Sequence, residues 1–341
     1  MSESFVPSNM PSPLVFERVS REQFEQELQP MGQPFVMKGF AKHWHIVKSG
    51  LNSPNDLRRK APQLNEAISV TRILAEEKSR MFYNPDMTGM NFGVASLSLD
   101  DCLRRMQETA DNGKDDSPDY AAQCVPVAKY FPQILNNIDN PLVEKGLEPF
   151  IWFGNRVIVA PHFDETDNIA VVAAGRRRFT LFPPQQTKNL YIGPLDFNPA
   201  GQAISLVNIL KPDLDAHPKY AEAYKHGLSV ELAPGDAIYI PTPWWHHVQS
   251  LSPFNVLINY WWSQNDFGTA KPLGALLHAI QAFRTLPKPQ QDAFRALLDY
   301  YVFDEANASR EHIPEHAHGW LGELDDEKRR VLEHWIKNFS Q

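Results

Sequence analysis

Two histidines and one aspartate in this chain have the residue types and spacing of a mononuclear metal site. His162 and Asp164 are separated by a single residue, and residues i and i+2 of an extended strand lie on the same face of a sheet. One imidazole and one carboxylate supply two of the three ligands of the facial triad that binds Fe(II). The pair therefore predicts a metal site that a third ligand from another segment completes.

His246 is the candidate for the third ligand. It belongs to the segment 241–247, which follows a turn signal at Pro234-Gly235-Asp236 and a short apolar strand at 237–240. The adjacent His247 faces away from a metal if the segment is extended, so we interpret it as a packing residue. A His-x-Asp pattern alone occurs by chance in many chains, and a lone buried histidine is more often structural. The metal hypothesis therefore depends on the elements that surround these residues.

The segment from residue 150 to about residue 262 has the pattern of a β-barrel. Short β-branched and aromatic runs are separated by Gly, Pro and Asn, a spacing typical of an antiparallel barrel or sandwich. The predicted strands cover residues 151–153, 156–159, 169–173, 178–182, 237–240 and 255–262. The stretch 184–228 is long and rich in proline and polar residues, which predicts a lid or a substrate-facing loop.

The segments on either side of the barrel predict helices. Residues 98–109 predict one helix, with Asp100 and Asp101 in its first turn, where acidic groups are favoured. Apolar residues at steps of three and four predict further helices over 273–283, 289–300 and 325–339. We therefore divide the chain into an N-terminal mixed α/β flank at 1–119, a catalytic barrel at 120–266 and a C-terminal helical region at 267–341.

The composition excludes several classes of protein. Of the 341 residues, 43% are hydrophobic and 22% are charged, which rules out a disordered or fibrous chain. The net charge of −8 argues against a general affinity for nucleic acid or anionic membranes, although not against a local basic cleft. Two cysteines do not make a disulfide framework, and no apolar run approaches the roughly 20 residues of a membrane helix. We expect a soluble, cytoplasmic protein with no signal peptide.

Several motifs together resemble the JmjC and cupin-like 2-oxoglutarate oxygenases, and within them the group around the asparaginyl hydroxylase that inhibits hypoxia-inducible factor. The resemblance is strongest over residues 150–262, and a segment at 34–40 with Trp44 resembles the family's entry segment. It implies a mainly β fold with helical flanks, a double-stranded β-helix of the cupin or jelly-roll type, followed by C-terminal helices. The matching residues read HFDETDN at 162–168, GRRRFTLFPP at 175–184, PGDAIYIP at 234–241, WHH at 245–247 and NYW at 259–261.

The resemblance also implies the cofactors and the residues that bind them. It makes His162, Asp164 and His246 the ligands of Fe(II), with 2-oxoglutarate and O2 as co-substrates. Arg177 stands at the family's position for the basic residue that binds the distal carboxylate of 2-oxoglutarate, where the hydroxylase group carries lysine. Val159 replaces the family's pocket threonine, which removes one hydrogen bond. Further positions that the resemblance places at the site are Tyr120, Asn168, Asn259 and Trp261; Tyr120 is nearly as well explained as a simple strand aromatic.

Strand parity supports the choice of Arg177 among three consecutive arginines. Arg177, Phe179 and Leu181 share one face of a strand, and the two apolar residues indicate that this face points into the barrel. Arg176 and Arg178 then point outward. A guanidinium can bind a carboxylate through two parallel hydrogen bonds, which suits the proposed role.

The expected function is that of an Fe(II)- and 2-oxoglutarate-dependent hydroxylase, a dioxygenase whose first candidate substrate is a protein side chain. The alternatives are a small metabolite, a modified tRNA base, or a metal-binding cupin without catalytic activity. The amphipathic C-terminal helices predict a homodimer, because two such helices after a closed barrel have little core of their own to cover. The alternative is a monomer in which these helices pack against the outside of the barrel.

Overall fold

The computed structural model describes residues 5–61, 65–113, 117–199, 201–264, 271–303 and 308–339. The chain separates into two compact units, residues 1–264 and 265–341. The described strands are β1 Leu14–Phe16, β2 Phe35–Met37, β3 Ala67–Ile73, β4 Arg80–Met81, β5 Phe92–Ser98, β6 Asp119–Pro126, β7 Phe150–Gly154, β8 Ile158–His162, β9 Asp167–Ala174, β10 Arg177–Phe182, β11 Leu228–Leu232, β12 Ala237–Ile240, β13 Trp245–Ser250 and β14 Asn255–Trp262. The described α-helices are α1 Arg21–Gln23, α2 His45–Lys48, α3 Pro54–Arg58, α4 Leu99–Asn112, α5 Val127–Tyr130, α6 Pro132–Leu135, α7 Tyr220–Lys225, α8 Pro272–Phe283, α9 Lys288–Tyr301 and α10 Asp326–Phe339.

Strands β7 to β14 form a double-stranded β-helix. Four of them, in the order β12-β9-β14-β7, lie in a nine-stranded sheet, and the other four, in the order β11-β10-β13-β8, lie in a five-stranded sheet. Neighbours within each group of four are antiparallel. The predicted fold, a mainly β cupin-like barrel with helical flanks, is confirmed.

Strands from the N-terminal flank continue both sheets of the barrel. In the large sheet, β1 and β2 extend beyond β12, and β6, β3 and β5 extend beyond β7. In the small sheet, β4 pairs in parallel with β8. All fourteen described strands thus lie in the first compact unit. The boundary that we placed between residues 266 and 267 lies outside the described residues.

Two hydrophobic layers hold the barrel together, and strand alternation assigns residues to them. On the inside, Ala170 and Val172 of β9 pack with Phe179 and Leu181 of β10. On the outside, alternate residues of β9 belong to a second cluster that includes buried residues of α4. This arrangement confirms that the Phe179 face of β10 is the inner one, the same face that carries Arg177.

Two barrel strands, β11 and β13, lie outside the strands that the sequence pattern predicts. β13 reads WHHVQS, which lacks an apolar alternation; it is a strand because β10 and β8 pair with it on both sides. The long segment 184–228 is anchored by its own apolar cluster, in which Val207, Ile209 and Tyr220 pack with Phe182 and Trp245.

None of the helices in the described part of the chain is long and apolar enough to span a membrane.

Gly175, in the turn between β9 and β10, has no room for a side chain. Its φ is +71°, and an added Cβ would lie 2.5 Å from Asn255 Oδ1 and still closer to the carbonyl oxygen of Phe254. Backbone strain and overpacking together predict that Gly175→Ala lowers the free energy of unfolding by about 3 kcal/mol. Gly146→Ala is the control, since Gly146 has a φ of +91° but no neighbour within 4 Å of an added Cβ. Because only backbone strain acts at Gly146, this substitution should lower the free energy of unfolding by about 1 kcal/mol. Urea unfolding measures both, and equal losses would show that the close contact is unimportant.

Candidate metal centre

Strand pairing brings the two candidate histidines together. His162 is the last residue of β8, and His246 on β13 lies directly opposite it in the register. Their ring centroids are 4.2 Å apart. Asp164 lies two residues beyond the end of β8, and one ligand atom from each of the three residues fits within a group whose members all lie within 4.8 Å of one another. Asp164 thus reaches the site from a loop rather than from the strand that the i, i+2 argument assumed.

The hydrogen bonds of the two imidazoles direct their remaining nitrogen atoms toward the centre. His162 Nδ1 lies 3.0 Å from the carbonyl oxygen of Ala160, and His246 Nδ1 lies 3.1 Å from that of Trp244. A carbonyl oxygen can only accept, so each neutral ring carries its proton on Nδ1 and keeps the lone pair of Nε2 free for a metal. Burial, reinforced by the neighbouring His162, lowers the pKa of His246 below its ordinary value. His246 is therefore neutral at pH 7, as a metal ligand has to be.

The carboxylate of Asp164 is held in place by two donors. Trp261 Nε1 and Asn168 Nδ2 donate to Oδ2 at 3.2 and 3.3 Å. Asn259 Nδ2 in turn donates to Asn168 Oδ1 at 2.8 Å. The backbone is tied as well, because Thr242 Oγ1 donates to the carbonyl oxygen of Asp164 at 2.6 Å. Such hydrogen bonds fix the orientation of a carboxylate ligand before a metal binds.

The three candidate ligands line a cavity of about 270 Å³ that also contains a buried arginine. Arg177 is only 8% exposed, and its guanidinium forms no ion pair with a carboxylate among the described residues; its Nε also has no hydrogen-bond acceptor there. Burial lowers the pKa of Arg177 to about 10, so the group stays cationic at neutral pH. A buried charge without a partner is costly, and the cavity therefore suits an anionic ligand.

The charged and imidazole side chains on the outer face of β10 and β13 are not available to bind an anion in the cavity. Arg176 and Arg178 both form ion pairs with Glu231. His247 is buried on the side away from the centre, and burial is the main cause that lowers its pKa to about 3. It is therefore a neutral packing residue in this structure.

The structure brings seven of the eight residues that we expected at the site to one cavity. These are His162, Asp164, Asn168, Arg177, His246, Asn259 and Trp261. Tyr120 lies elsewhere: its side chain packs in the apolar cluster on the outer face of the large sheet, among residues such as Phe153 and Val125. The register of β6 against β7 shifts between Ala122 and Val125, so the residues of β6 that reach the cavity are Gln123 and Cys124. Tyr120 is therefore not among the residues that line this cavity.

Sequence reasoning missed six residues of the cavity wall, Gln123, Cys124, Trp152, Gln202, Val248 and Leu257. Trp152 could have been found, because it alternates with Ile151 and Phe153, whose side chains belong to the outer cluster. Gln123 and Cys124 lie at an irregularity of β6, and Gln202 lies in the long segment 184–228. No periodic signal identifies these three.

Comparison with known proteins gives one family match and several individual relatives. Residues 21–267 match the family described as the cupin-like domain. The chain is 32% identical to human HSPB1-associated protein 1 over 148 residues, which cover 42% of the chain but only 30% of that protein. It is 24% identical to human tRNA wybutosine-synthesizing protein 5 over 325 residues, covering 85% of the chain and 95% of that protein. It is also 32% identical to the Lysine-specific demethylase JMJ31 of Arabidopsis thaliana over 104 residues, 30% of the chain and 18% of that protein.

Proposed function

The chain belongs to the cupin-like domain family, and from that premise we propose that it is an Fe(II)- and 2-oxoglutarate-dependent hydroxylase. One observation carries the proposal: two histidines and a carboxylate converge on a cavity that also holds a buried arginine without a carboxylate partner among the described residues. The first three are the donor set of a facial triad for Fe(II), and the arginine suits the distal carboxylate of a keto acid.

Each residue has a distinct part in this proposal. His162 and His246 offer Nε2 and Asp164 offers its carboxylate, while Trp261 and Asn168 keep that carboxylate turned toward the centre. Fe(II) held by these three residues would supply the oxidising chemistry that amino-acid side chains lack. Arg177 orients the co-substrate by its far carboxylate. The enclosing barrel excludes water from the reacting groups.

A protein side chain is the first candidate substrate. The resemblance to the asparaginyl hydroxylase group supports it, and the net charge of −8 favours a protein or a small molecule over a polyanion. A modified tRNA base is the second candidate, because the relative named as a tRNA wybutosine-synthesizing protein matches 85% of this chain and 95% of its own length. A small metabolite is the third.

Two experiments test the proposal. Release of succinate from 2-oxoglutarate in the presence of Fe(II), without any prime substrate, separates an oxygenase from a cupin that only binds metal. Mass spectrometry of a knockout strain against the wild type then identifies the substrate class. If peptides or tRNA nucleosides carry the mass of one additional oxygen atom only in the wild type, they contain the substrate. If neither peptides nor nucleosides differ in mass between the two strains, a small metabolite is the remaining candidate.

We also propose that the C-terminal helices mediate a homodimer. Apolar residues of α8 and α9 are exposed, among them Leu276, Leu277, Phe294, Leu297 and Tyr301. Exposed apolar groups of this kind are typical of an interface, and a second copy of the chain covers both helices at once.

Leu297→Arg is expected to convert the dimer to a monomer. Leu297 is 49% exposed, so the substitution is compatible with a folded helix, while a buried charge at the interface is not tolerated. The mass measured by light scattering should then fall from twice the chain mass to the chain mass of 38.9 kDa. Asp299→Arg is the control, since two residues on an α-helix are about 200° apart, and it should remain dimeric. A wild-type protein with the monomer mass would refute the dimer.

A further inference from the structure

A buried indole N–H in the cavity wall has no acceptor. Trp152 on β7 is half-buried, and its Nε1 is shielded from solvent without a hydrogen-bond partner among the described residues. Buried donors are nearly always paired in folded proteins, and each exception calls for an explanation. Because Trp152 lines the cavity, the simplest explanation is a ligand that accepts this hydrogen bond.

Trp152 borders the same part of the cavity as Arg177. Both residues line the main cavity and also a smaller recess of about 30 Å³. Arg177 Nε is likewise buried, and no acceptor for it lies in the part of the chain that the structure describes. Two orphan donors, one neutral and one cationic, thus border one recess. An acceptor with several lone pairs and a negative charge satisfies both, and a carboxylate has these properties.

The other side-chain amides of the cavity wall already donate within the protein. Gln123 donates to the sulfur of Met81, Gln202 to Glu165, Asn168 to Asp164 and Asn259 to Asn168. Val159, which borders both the cavity and the recess, offers no hydrogen bond from its side chain. Each of these amides thus has at least one N–H engaged, whereas the single N–H of the Trp152 indole, beside Arg177, has no acceptor among the described residues.

We propose that Trp152 is a further co-substrate-binding residue, which donates a hydrogen bond from Nε1 to the distal carboxylate of 2-oxoglutarate alongside Arg177. The inference rests on the proposed function and specifies which end of the keto acid this wall of the cavity recognises. Its consequence is selectivity: the pair distinguishes a dicarboxylic keto acid from a monocarboxylic one. The ring of Trp152 also packs edge-on against Trp261 at 5.9 Å between centroids, and Trp261 holds Asp164.

Calorimetric titration of the Zn(II)-loaded protein, which binds keto acids without turnover, tests the proposal. Trp152→Phe keeps an aromatic ring and removes only the donor. We expect the Kd for 2-oxoglutarate to rise about tenfold, and the Kd for 2-oxopentanoate, which ends in a methyl group instead of the distal carboxylate, to stay unchanged. Affinity for Zn(II) should also be unchanged. Trp262→Phe is the matched control, since Trp262 is half-buried on the outer face of the sheet against Tyr239.

Three results would overturn the proposal, and they are distinguishable. An unchanged Kd for 2-oxoglutarate in Trp152→Phe would remove Trp152 from the site while leaving the proposed function intact. Equal weakening of both keto acids would show that the ring only packs. A wild-type protein that binds neither keto acid would refute the proposed function itself.

A second measurement does not depend on the variant folding. In nuclear magnetic resonance spectra of the wild type, an indole N–H signal among those of the eight tryptophans should move when 2-oxoglutarate binds and stay in place with 2-oxopentanoate. Identical indole spectra with the two keto acids would count against the proposal.

Discussion

Asp164→Ala is expected to abolish 2-oxoglutarate turnover and to weaken metal binding while the protein stays folded. Asp164 is the only carboxylate in the group of three side chains whose ligand atoms converge within 4.8 Å among the described residues. Its loss leaves two imidazoles, which do not complete a facial triad and carry no negative charge to offset that of a divalent cation. Since loss of an outer hydrogen-bond partner already costs up to about 100-fold in metal affinity, loss of the ligand should cost at least as much. Succinate release and a metal-competition titration measure the two effects.

The neighbouring acid provides the control for this variant. Glu165 lies next to Asp164 in the chain but accepts a hydrogen bond from Gln202 at 3.4 Å and is not one of the three converging residues. Glu165→Ala should therefore retain metal affinity. Circular dichroism and thermal unfolding check that both variants are folded. If Asp164→Ala kept wild-type succinate production, the assignment of the triad would be wrong.

Arg177→Met is expected to raise the concentration of 2-oxoglutarate needed for half-saturation by on the order of a hundredfold or more, with metal affinity unchanged. Breaking a buried charge pair costs about 3–5 kcal/mol, because the remaining charge is left without compensation. In the complex that charge is the distal carboxylate of the co-substrate. Titration of 2-oxoglutarate against succinate release measures the shift, and a metal titration on the same protein checks the centre.

The same variant should be more stable than the wild type when 2-oxoglutarate is absent. The guanidinium of Arg177 is buried without a carboxylate partner among the described residues. Methionine fills similar volume without a charge, and replacing buried charges by apolar groups often gains about 1–4 kcal/mol. Urea unfolding of the ligand-free proteins measures this gain. If Arg177 served only to stabilise the fold, Arg177→Met would instead lower the free energy of unfolding.

Arg176→Met is the control for both effects, because Arg176 pairs with Glu231 on the outer face of the strand. It should change neither the requirement for 2-oxoglutarate nor the binding of metal. If Arg177→Met left the half-saturating concentration of 2-oxoglutarate unchanged, another cation would have to bind the distal carboxylate. Arg176 and Arg178 would be the next residues to test.

Strand periodicity predicted the inner face of β10 correctly, and it failed where the chain leaves that periodicity. Arg177 could be assigned because Phe179 and Leu181 mark the inner side of a regular strand. Periodicity could not identify Gln123 and Cys124 as cavity residues, because the register of β6 shifts between Ala122 and Val125, and nothing in the local sequence announces such an irregularity. Parity alone is therefore reliable only within an unbroken ladder.

Two further features depend on tertiary structure rather than on local pattern. β13 has no apolar alternation and exists because two neighbours pair with it; the sequence located His246 through the preceding turn instead. Asp164 reaches the centre from beyond the end of β8, where the hydroxyl of Thr242 holds its backbone. The three candidate ligands were thus predictable from residue types and spacing, and the other site residues only from the family resemblance, while the loop that presents Asp164 was not predictable from either.

The most direct test of the account is the fate of dioxygen during turnover of 2-oxoglutarate. The metal-free protein is supplied with Fe(II), 2-oxoglutarate and isotopically heavy dioxygen, with catalase present because peroxide decarboxylates keto acids without an enzyme. We expect succinate that carries one heavy oxygen atom, formed only when protein, Fe(II) and dioxygen are all present. Protein that binds both Fe(II) and 2-oxoglutarate but forms no succinate, or forms only unlabelled succinate, would contradict it.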